Sequence, residues 1–162
     1  MAHTSKYLDY TVSCFIVKKN KVLLIYNDRY YLWLPPGGHI DPDENIEGSI
    51  FREIEEETGI TKNEIGLIDP RKSIPEENIF SDLKGHNIVT PSFSDIHEAG
   101  KNHFHIGFRY FLTTASTVKK SRDKHVVRHK WFTKEELDDP RYNLKKHVKF
   151  YAKYALKIAS HP

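Results

Sequence analysis

The first third of the chain alternates short apolar runs with polar breaks, a pattern that is typical of a β-sheet. Residues 10–17 (YTVSCFIV) and 22–26 (VLLIY) are apolar and rich in β-branched side chains, and the polar residues 18–21 separate them. This spacing predicts a β-hairpin. A third strand is predicted over residues 30–34, and the sequence Pro35-Pro36-Gly37-Gly38 ends it.

The remaining pattern predicts two main helices with further strands between them. The first helix begins after Asn45, its N-cap, and ends before Gly59. Residues 64–68, 103–113 and 126–132 are predicted strands, whereas residues 69–102, punctuated by Pro and Gly, are predicted to be irregular. Thr133 and Glu136 match a capping box that starts a short helix. The last helix covers about residues 144–159, where apolar side chains recur at spacings of three and four.

Together these elements predict a single α/β domain over residues 1–162, most simply an α/β/α sandwich with a mixed sheet. Hydrophobic residues make up 38% and charged residues 29%, which is typical of a soluble globular chain. No apolar run approaches the roughly 20 residues that cross a membrane. The segment Met1–Asp9 lacks a signal-peptide pattern, so we expect a cytoplasmic protein without a membrane partner. Cys14, the only cysteine, is expected to be a buried thiol.

The charges are distributed unevenly along the chain. The net charge of +3 does not by itself indicate a nucleic-acid partner. Acidic residues are concentrated between positions 41 and 57, and Lys and Arg between positions 119 and 157. An acidic centre in a mildly basic chain indicates a local need for negative charge, and the usual need is a metal ion.

The acidic segment places three carboxylates on one face of the first helix. At about 100° per residue, Glu57 lies about 40° to one side of Glu53, and Glu56 about 60° to the other. An isoleucine stripe runs beside them, which predicts a cluster at the edge of the buried face. Exposed glutamates three or four positions apart on a helix repel each other by about 0.2–0.5 kcal/mol per pair. A hard divalent cation turns this repulsion into binding, and Mg²⁺ fits better than Zn²⁺ because the helix carries no Cys or His.

Two further features accompany this helix. Arg52 precedes Glu56 by four residues, so its guanidinium can hold that carboxylate in one orientation. Gly37 and Gly38 permit close backbone approach in the loop before the helix. Taken alone, Arg52 also fits a routine helix ion pair, and the two glycines fit an ordinary turn.

Residues 38–60 (GHIDPDENIEGSIFREIEEETGI) resemble the signature of the Nudix hydrolases without a gap. That signature reads Gly, five residues, Glu, seven residues, Arg-Glu, apolar, any, Glu-Glu, any, Gly, apolar. The matching positions are Gly38, Glu44, Arg52-Glu53, Ile54, Glu56-Glu57, Gly59 and Ile60. The resemblance implies a Nudix-type α/β/α sandwich. It also implies hydrolysis of a diphosphate bond in a small nucleotide-like substrate, such as a nucleoside diphosphate sugar, ADP-ribose or a nucleoside triphosphate.

The resemblance also implies roles by matching position. The metal ligands for Mg²⁺, or Mn²⁺ as a substitute, would be three glutamates and a loop carbonyl: Glu53, Glu56, Glu57 and Gly38. Arg52 would orient the glutamates, and one carboxylate would accept the proton of the attacking water. The positions next to the substrate would be Gly37, Gly38 and Glu44.

Glu98 is a further candidate for the catalytic and metal-binding set. Several Nudix hydrolases are similar in drawing one more glutamate from a loop before a late strand, and the loop predicted over residues 92–103 contains Glu98. Other loop acids, such as Glu76 and Asp95, compete for this role. Pro75 falls near the position of a proline in ADP-ribose-cleaving members of the family.

Three histidines are compatible with a second metal site, namely His97, His103 and His105, but hydrogen-bonded or solvent-facing side chains are the commoner outcome.

Three other functions remain open from the residues. A nucleotide sensor without activity would not need the clustered glutamates, and an isoprenoid diphosphate isomerase would need a Cys and Glu pair in its pocket. An RNA-processing Nudix enzyme would use the Lys-rich last helix, but a solvated helix face explains those lysines better. We therefore expect a small nucleotide-like substrate and no nucleic acid, with the chain acting as a monomer or homodimer.

Overall fold

A mixed β-sheet forms the centre of the computed structural model, which describes residues 5–71 and 84–160. Its strands are β1 (Leu8–Lys18), β2 (Lys21–Asn27), β3 (Leu32–Leu34), β4 (Ile65–Leu67), β5 (Phe93–Gly100), β6 (His103–Thr114) and β7 (Val126–Phe132). Helix α1 spans Ile46–Thr58 and helix α2 spans Lys146–Ala159. Short 3₁₀ helices cover Lys62–Glu64, Glu136–Asp138 and Pro140–Tyr142.

The long strands β1 and β6 lie side by side at the centre of the sheet. They run parallel over ten register pairs, from Leu8↔Phe104 to Val17↔Thr113. β4 and β5 both pair antiparallel with β6, while β3 and β7 pair antiparallel with β2. β1 pairs with β2 only beside their turn, at Val17↔Val22 and Lys18↔Lys21. Beyond these two residue pairs, the N-terminal part of β1 pairs with a different segment on that side.

Residues 36–40, which follow β3, pair with β1 where β2 does not. The backbone N–H groups of Val12 and Cys14 donate to the carbonyls of Gly38 and Pro36, at 2.9 and 2.8 Å. A Cβ on Gly37 would lie 2.2 Å from the Val12 carbonyl oxygen, so this approach requires glycine. The glycine loop is therefore part of the sheet rather than a free turn.

Each face of the sheet carries one helix. Alternation along β1 sends Val12, Cys14 and Ile16 towards α1, and Phe15 and Val17 towards α2. The side chains that complete the two cores include Ile50, Ile54, Tyr110 and Leu112 on the α1 face, and Phe111, Val148, Ala152 and Ala155 on the α2 face. This arrangement confirms the predicted α/β/α sandwich.

Most local predictions are confirmed. The β1–β2 hairpin turns through Lys19 and Asn20, both with positive φ, as tight hairpin turns require. Asn45 caps α1 by accepting the Gly48 N–H, and Gly59 ends the helix with a φ of 69°. The capping box of Thr133 and Glu136 forms, although only a 3₁₀ turn follows it.

The predicted loop over residues 92–103 is wrong, because β5 occupies Phe93–Gly100 and pairs with β6. As an edge strand with largely exposed side chains, β5 lacks the apolar signature by which strands are recognised in a sequence. Pro75 and Glu76 lie outside the described residues.

The longest helix of the described chain, α2, has 14 residues, and none of the described helices is long and apolar enough to cross a membrane.

Candidate active site

The core-facing side of α1 carries two of the three candidate glutamates into the protein interior. Because Ile50 and Ile54 pack against the sheet, the adjacent Glu53 and Glu57 are only 2% and 3% exposed. Glu56 lies further round the helix, and its side chain is 44% exposed. The three carboxylates thus share one face, as the helical spacing predicts, with two of them out of water.

Arg52 connects α1 with the loop before it. Its guanidinium donates to both carboxylate oxygens of Glu44, with contacts of 2.8–3.3 Å, and to Glu53 Oε1 at 2.8 Å. It also donates to the backbone carbonyl of His39 at 2.9 Å. The predicted partner Glu56 is more distant, at 3.6 Å. Arg52 therefore positions mainly Glu53 and Glu44, because folding of the loop supplies partners that helix spacing cannot reveal.

Glu57 is held by the glycine loop. Its Oε2 accepts the Gly37 N–H at 2.9 Å, and its backbone carbonyl accepts a hydrogen bond from His129 Nε2 at 2.7 Å. Within residues 5–71 and 84–160, the second side-chain oxygen of Glu57 accepts no hydrogen bond, and the same holds for Glu53. Each buried carboxylate thus has one oxygen fixed by a donor and one available to a ligand.

Burial makes ionisation of these two carboxylates costly. Desolvation raises the pKa of Glu57 to about 9, and the nearby Glu53 adds to this shift while the Gly37 N–H opposes it. Desolvation also raises the pKa of Glu53 to about 7, against the effect of Arg52. Burial, followed by the charges of both glutamates, raises the pKa of Cys14 well above its usual range. Cys14 is therefore no nucleophile at neutral pH, which disfavours the isomerase alternative.

A cavity of about 270 Å³ lies beside Glu57. Gly37, Gly38 and Glu57 line one part of it, and Arg109 and Tyr151 line another. The cavity is continuous between the glycine loop and the start of α2. The Gly38 carbonyl accepts the Val12 N–H, which leaves it one lone pair for the metal role implied by the resemblance.

Glu98 is not among the residues that line the cavity. It sits on the exposed part of β5 opposite Phe104, so its side chain points to the face shared with Phe104. The adjacent His97 points to the other face and lines the cavity. The role of Glu98 as a base or metal ligand stays a prediction.

Arg109 is a cavity residue that does not stand out in the sequence. Its guanidinium donates twice to Asp95, both at 2.9 Å, and to Ser13 Oγ at 2.6 Å. A Cβ on Gly107 would lie 2.3 Å from this guanidinium, so glycine makes the room for it. Burial opposes ionisation of Asp95, but the Arg109 contact prevails and lowers its pKa to about 2. Only the pairing of β5 with β6 brings these residues together, and local spacing carries no sign of that pairing.

Comparisons with known proteins agree with the geometry. A family model described as NUDIX domain matches residues 8–154. A solved structure of a NUDIX-family hydrolase from Clostridium perfringens is 31% identical, covering 93% of this chain and 97% of that chain with a TM-score of 0.78.

Two curated relatives match shorter segments. The asymmetrical bis(5'-nucleosyl)-tetraphosphatase of Mus musculus is 42% identical over 48 residues, which is 30% of this chain and 33% of that protein. A putative 8-oxo-dGTP diphosphatase of Bacillus subtilis is 35% identical over 77 residues, which is 44% of this chain and 52% of that protein. Across the curated relatives, the chain covers between 33% and 52% of their own length.

Proposed function

The chain belongs to the NUDIX family of hydrolases that act on pyrophosphate bonds, and on this basis we propose that it is a Mg²⁺-dependent pyrophosphohydrolase of nucleotides. The observation that carries the proposal is the pair of buried carboxylates, Glu53 and Glu57, of which Glu57 lines a cavity together with the glycine loop. Burying two acids costs stability unless a ligand offsets it. This cost supports a functional rather than a structural role for the pair.

The donor set fits a hard divalent cation. Glu53, Glu56 and Glu57 offer oxygen ligands only, which is the preference of Mg²⁺ and permits Mn²⁺ as a substitute. The raised pKa values of Glu53 and Glu57 describe the metal-free protein, and a bound cation favours their ionised forms. A bound Mg²⁺ would supply positive charge that neutralises the diphosphate and the leaving oxygen.

The chain's own groups hold and orient the reacting parts. Arg52 fixes one oxygen of Glu53, and the Gly37 N–H fixes one oxygen of Glu57, so both carboxylates keep a single orientation. Glu44 keeps the Arg52 guanidinium in place through two of its nitrogens. One of the three glutamates Glu53, Glu56 and Glu57 accepts the proton of the water that attacks phosphorus. Glu98 is the alternative candidate for that base.

The substrate that we propose is a nucleoside carrying a chain of two or more phosphates. The cavity combines the rings of Tyr30 and Tyr151, on which a base can stack, with the guanidinium of Arg29, which suits phosphate oxygens. The two curated relatives are named for a dinucleoside tetraphosphate and for an oxidised nucleoside triphosphate. Both compounds contain the proposed group.

The test is a substrate panel with product identification. Diadenosine tetraphosphate, 8-oxo-dGTP, ordinary nucleoside triphosphates, ADP-ribose and nucleoside diphosphate sugars are incubated with the protein in Mg²⁺, in Mn²⁺ and in chelator. We expect hydrolysis of at least one polyphosphate compound, dependent on the cation, and loss of turnover by orders of magnitude in Glu57→Gln. Glu55→Gln is the matched control, because Glu55 lies on the same helix but pairs with Arg122 on the surface.

Either of two results would overturn the proposal. One is cleavage that proceeds equally well in chelator, since the glutamates would then have no cation to bind. The other is equal loss of activity in Glu55→Gln and Glu57→Gln, since the effect would then come from helix charge rather than from the site.

A further inference from the structure

A cluster of histidines surrounds Asp9 on the α2 face of the sheet. The parallel register of β1 and β6 places Asp9 directly beside His105. On the other side of β1, the bridge between Thr11 and His39 brings the loop histidine close to the same carboxylate. Asp9 is fully buried, and His103 is 6% exposed. A buried carboxylate and three imidazoles therefore meet at one site, in which His39 and His105 are partly exposed.

The distances within this cluster suit a small metal ion. His39 Nε2 lies 3.3 Å from Asp9 Oδ2. Tetrahedral Zn²⁺ with ligand bonds of about 2.0–2.2 Å separates neighbouring ligand atoms by roughly 3.4 Å, which matches this pair. The ligand atoms of Asp9, His39 and His105 all lie within 4.8 Å of one another. The wider pairs must close by no more than about 1.5 Å to reach the same geometry.

The carboxylate is itself held in position from two sides. The Ser5 N–H contacts Asp9 Oδ1 at 2.7 Å, and His103 Nε2 lies 3.2 Å from Asp9 Oδ2. His103 Nδ1 is in turn 3.3 Å from the Lys6 carbonyl oxygen, which fixes the ring. Metal sites use such outer contacts to orient their ligands. His103 is not in the group of three residues whose ligand atoms all lie within 4.8 Å of one another, so it has the place of a positioning residue rather than of a ligand.

We propose that Asp9, His39 and His105 form a transition-metal site for which Zn²⁺ is the preferred ion. Two imidazoles and one carboxylate are the donor set of Zn²⁺ sites that keep an open position, whereas the glutamate set on α1 offers oxygen alone and suits Mg²⁺. His39 and His105 line the same cavity as Glu57. An ion held by these residues would therefore lie next to the cavity, from which water or a phosphate oxygen could reach it.

The test separates this site from the glutamate set by removing the latter. The double variant Glu53→Gln/Glu57→Gln is stripped with chelator, loaded with Zn²⁺ or Co²⁺, and dialysed. We expect about one Zn²⁺ per chain by elemental analysis, and visible Co²⁺ absorption bands of tetrahedral intensity. In the same background, His103→Gln weakens Zn²⁺ affinity by about 10–100-fold, as loss of an outer contact does elsewhere, and His105→Gln weakens it further.

His86→Gln is the matched control, because His86 is exposed and is not part of the cluster. Circular dichroism of each metal-free variant checks that it is folded, and Asp9→Asn provides a second ligand variant if His105→Gln is not. The proposal is overturned if the double variant retains no Zn²⁺ and shows no Co²⁺ bands. It is equally overturned if His105→Gln and His86→Gln bind Zn²⁺ with the same affinity, since the bound ion would then lie elsewhere.

Discussion

Replacing Glu57 with Gln should stabilise the metal-free protein while abolishing its proposed activity. The amide keeps an oxygen that can accept the Gly37 N–H, and it is neutral in the folded and the unfolded chain alike, so folding no longer requires the side chain to take up a proton. Because the folded pKa is raised, ionisation of Glu57 works against folding as pH rises. The neutral side chain contributes to the free energy of unfolding. This contribution is fully present below pH 4.5 and is lost progressively as the pH rises through about 9.

The size of this effect follows from the two pKa values. At pH 7 the unfolded chain ionises Glu57, whose ordinary pKa is 4.5, whereas the folded chain keeps it protonated. That difference corresponds to about 3 kcal/mol of lost folding stability at pH 7. For a domain of this size it equals a shift in melting temperature of about 6–12 °C. Gln incurs no such loss.

The assay is urea unfolding in chelator between pH 5 and pH 9, followed by tryptophan fluorescence. We expect Glu57→Gln to exceed the wild type in unfolding free energy by about 3 kcal/mol at pH 7 and by only about 1 kcal/mol at pH 5. Glu55→Gln, with an exposed side chain, should follow the wild type throughout. Added Mg²⁺ should stabilise the wild type more than the Gln variant, because binding to the folded state alone raises stability. Parallel pH profiles of the wild type and Glu57→Gln would refute the reasoning.

Three further changes test other parts of the site. Arg52→Lys should lower kcat, because a point charge cannot hold Glu44, Glu53 and a backbone carbonyl at once. Equal kinetics for the variant and the wild type would show that Arg52 forms only an ordinary ion pair. Glu98→Gln should depress kcat much more than KM if Glu98 is the base, and raise the Mg²⁺ requirement if it is a ligand; unchanged values for both would remove it from the site. Gly37→Ala should destabilise the fold by about 3 kcal/mol or more in thermal melts, since the alanine Cβ would lie 2.2 Å from a carbonyl oxygen. An unchanged melting temperature would show that the loop is free to move.

The parts of the site that depend on local spacing can be read from the sequence. Glu53 and Glu57 lie beside the isoleucine stripe of α1, so one helical period determines both their grouping and their burial. The hairpin and both ends of α1 are similarly local, since turn and cap residues act within a few positions. These features need no knowledge of which strands pair.

The features that depend on strand pairing cannot be read in this way. Arg52 has a visible partner at i+4, yet the fold gives it closer ones from the preceding loop. β5 has one face towards solvent and so carries a mainly polar sequence. Asp9 and His105 lie almost a hundred residues apart, and only the parallel register of β1 and β6 makes them neighbours.

That same register has a consequence for how the chain folds during synthesis. β1 is made early, but β6, its partner over ten residue pairs, follows almost a hundred residues later. At about 5–20 residues per second, the ribosome needs roughly 5–20 s to supply it. Throughout that interval an apolar strand has an unpaired edge, which is open to wrong pairing with other chains. Nascent chains stalled before residue 103 should therefore be more prone to aggregate, and more dependent on chaperones, than the finished protein.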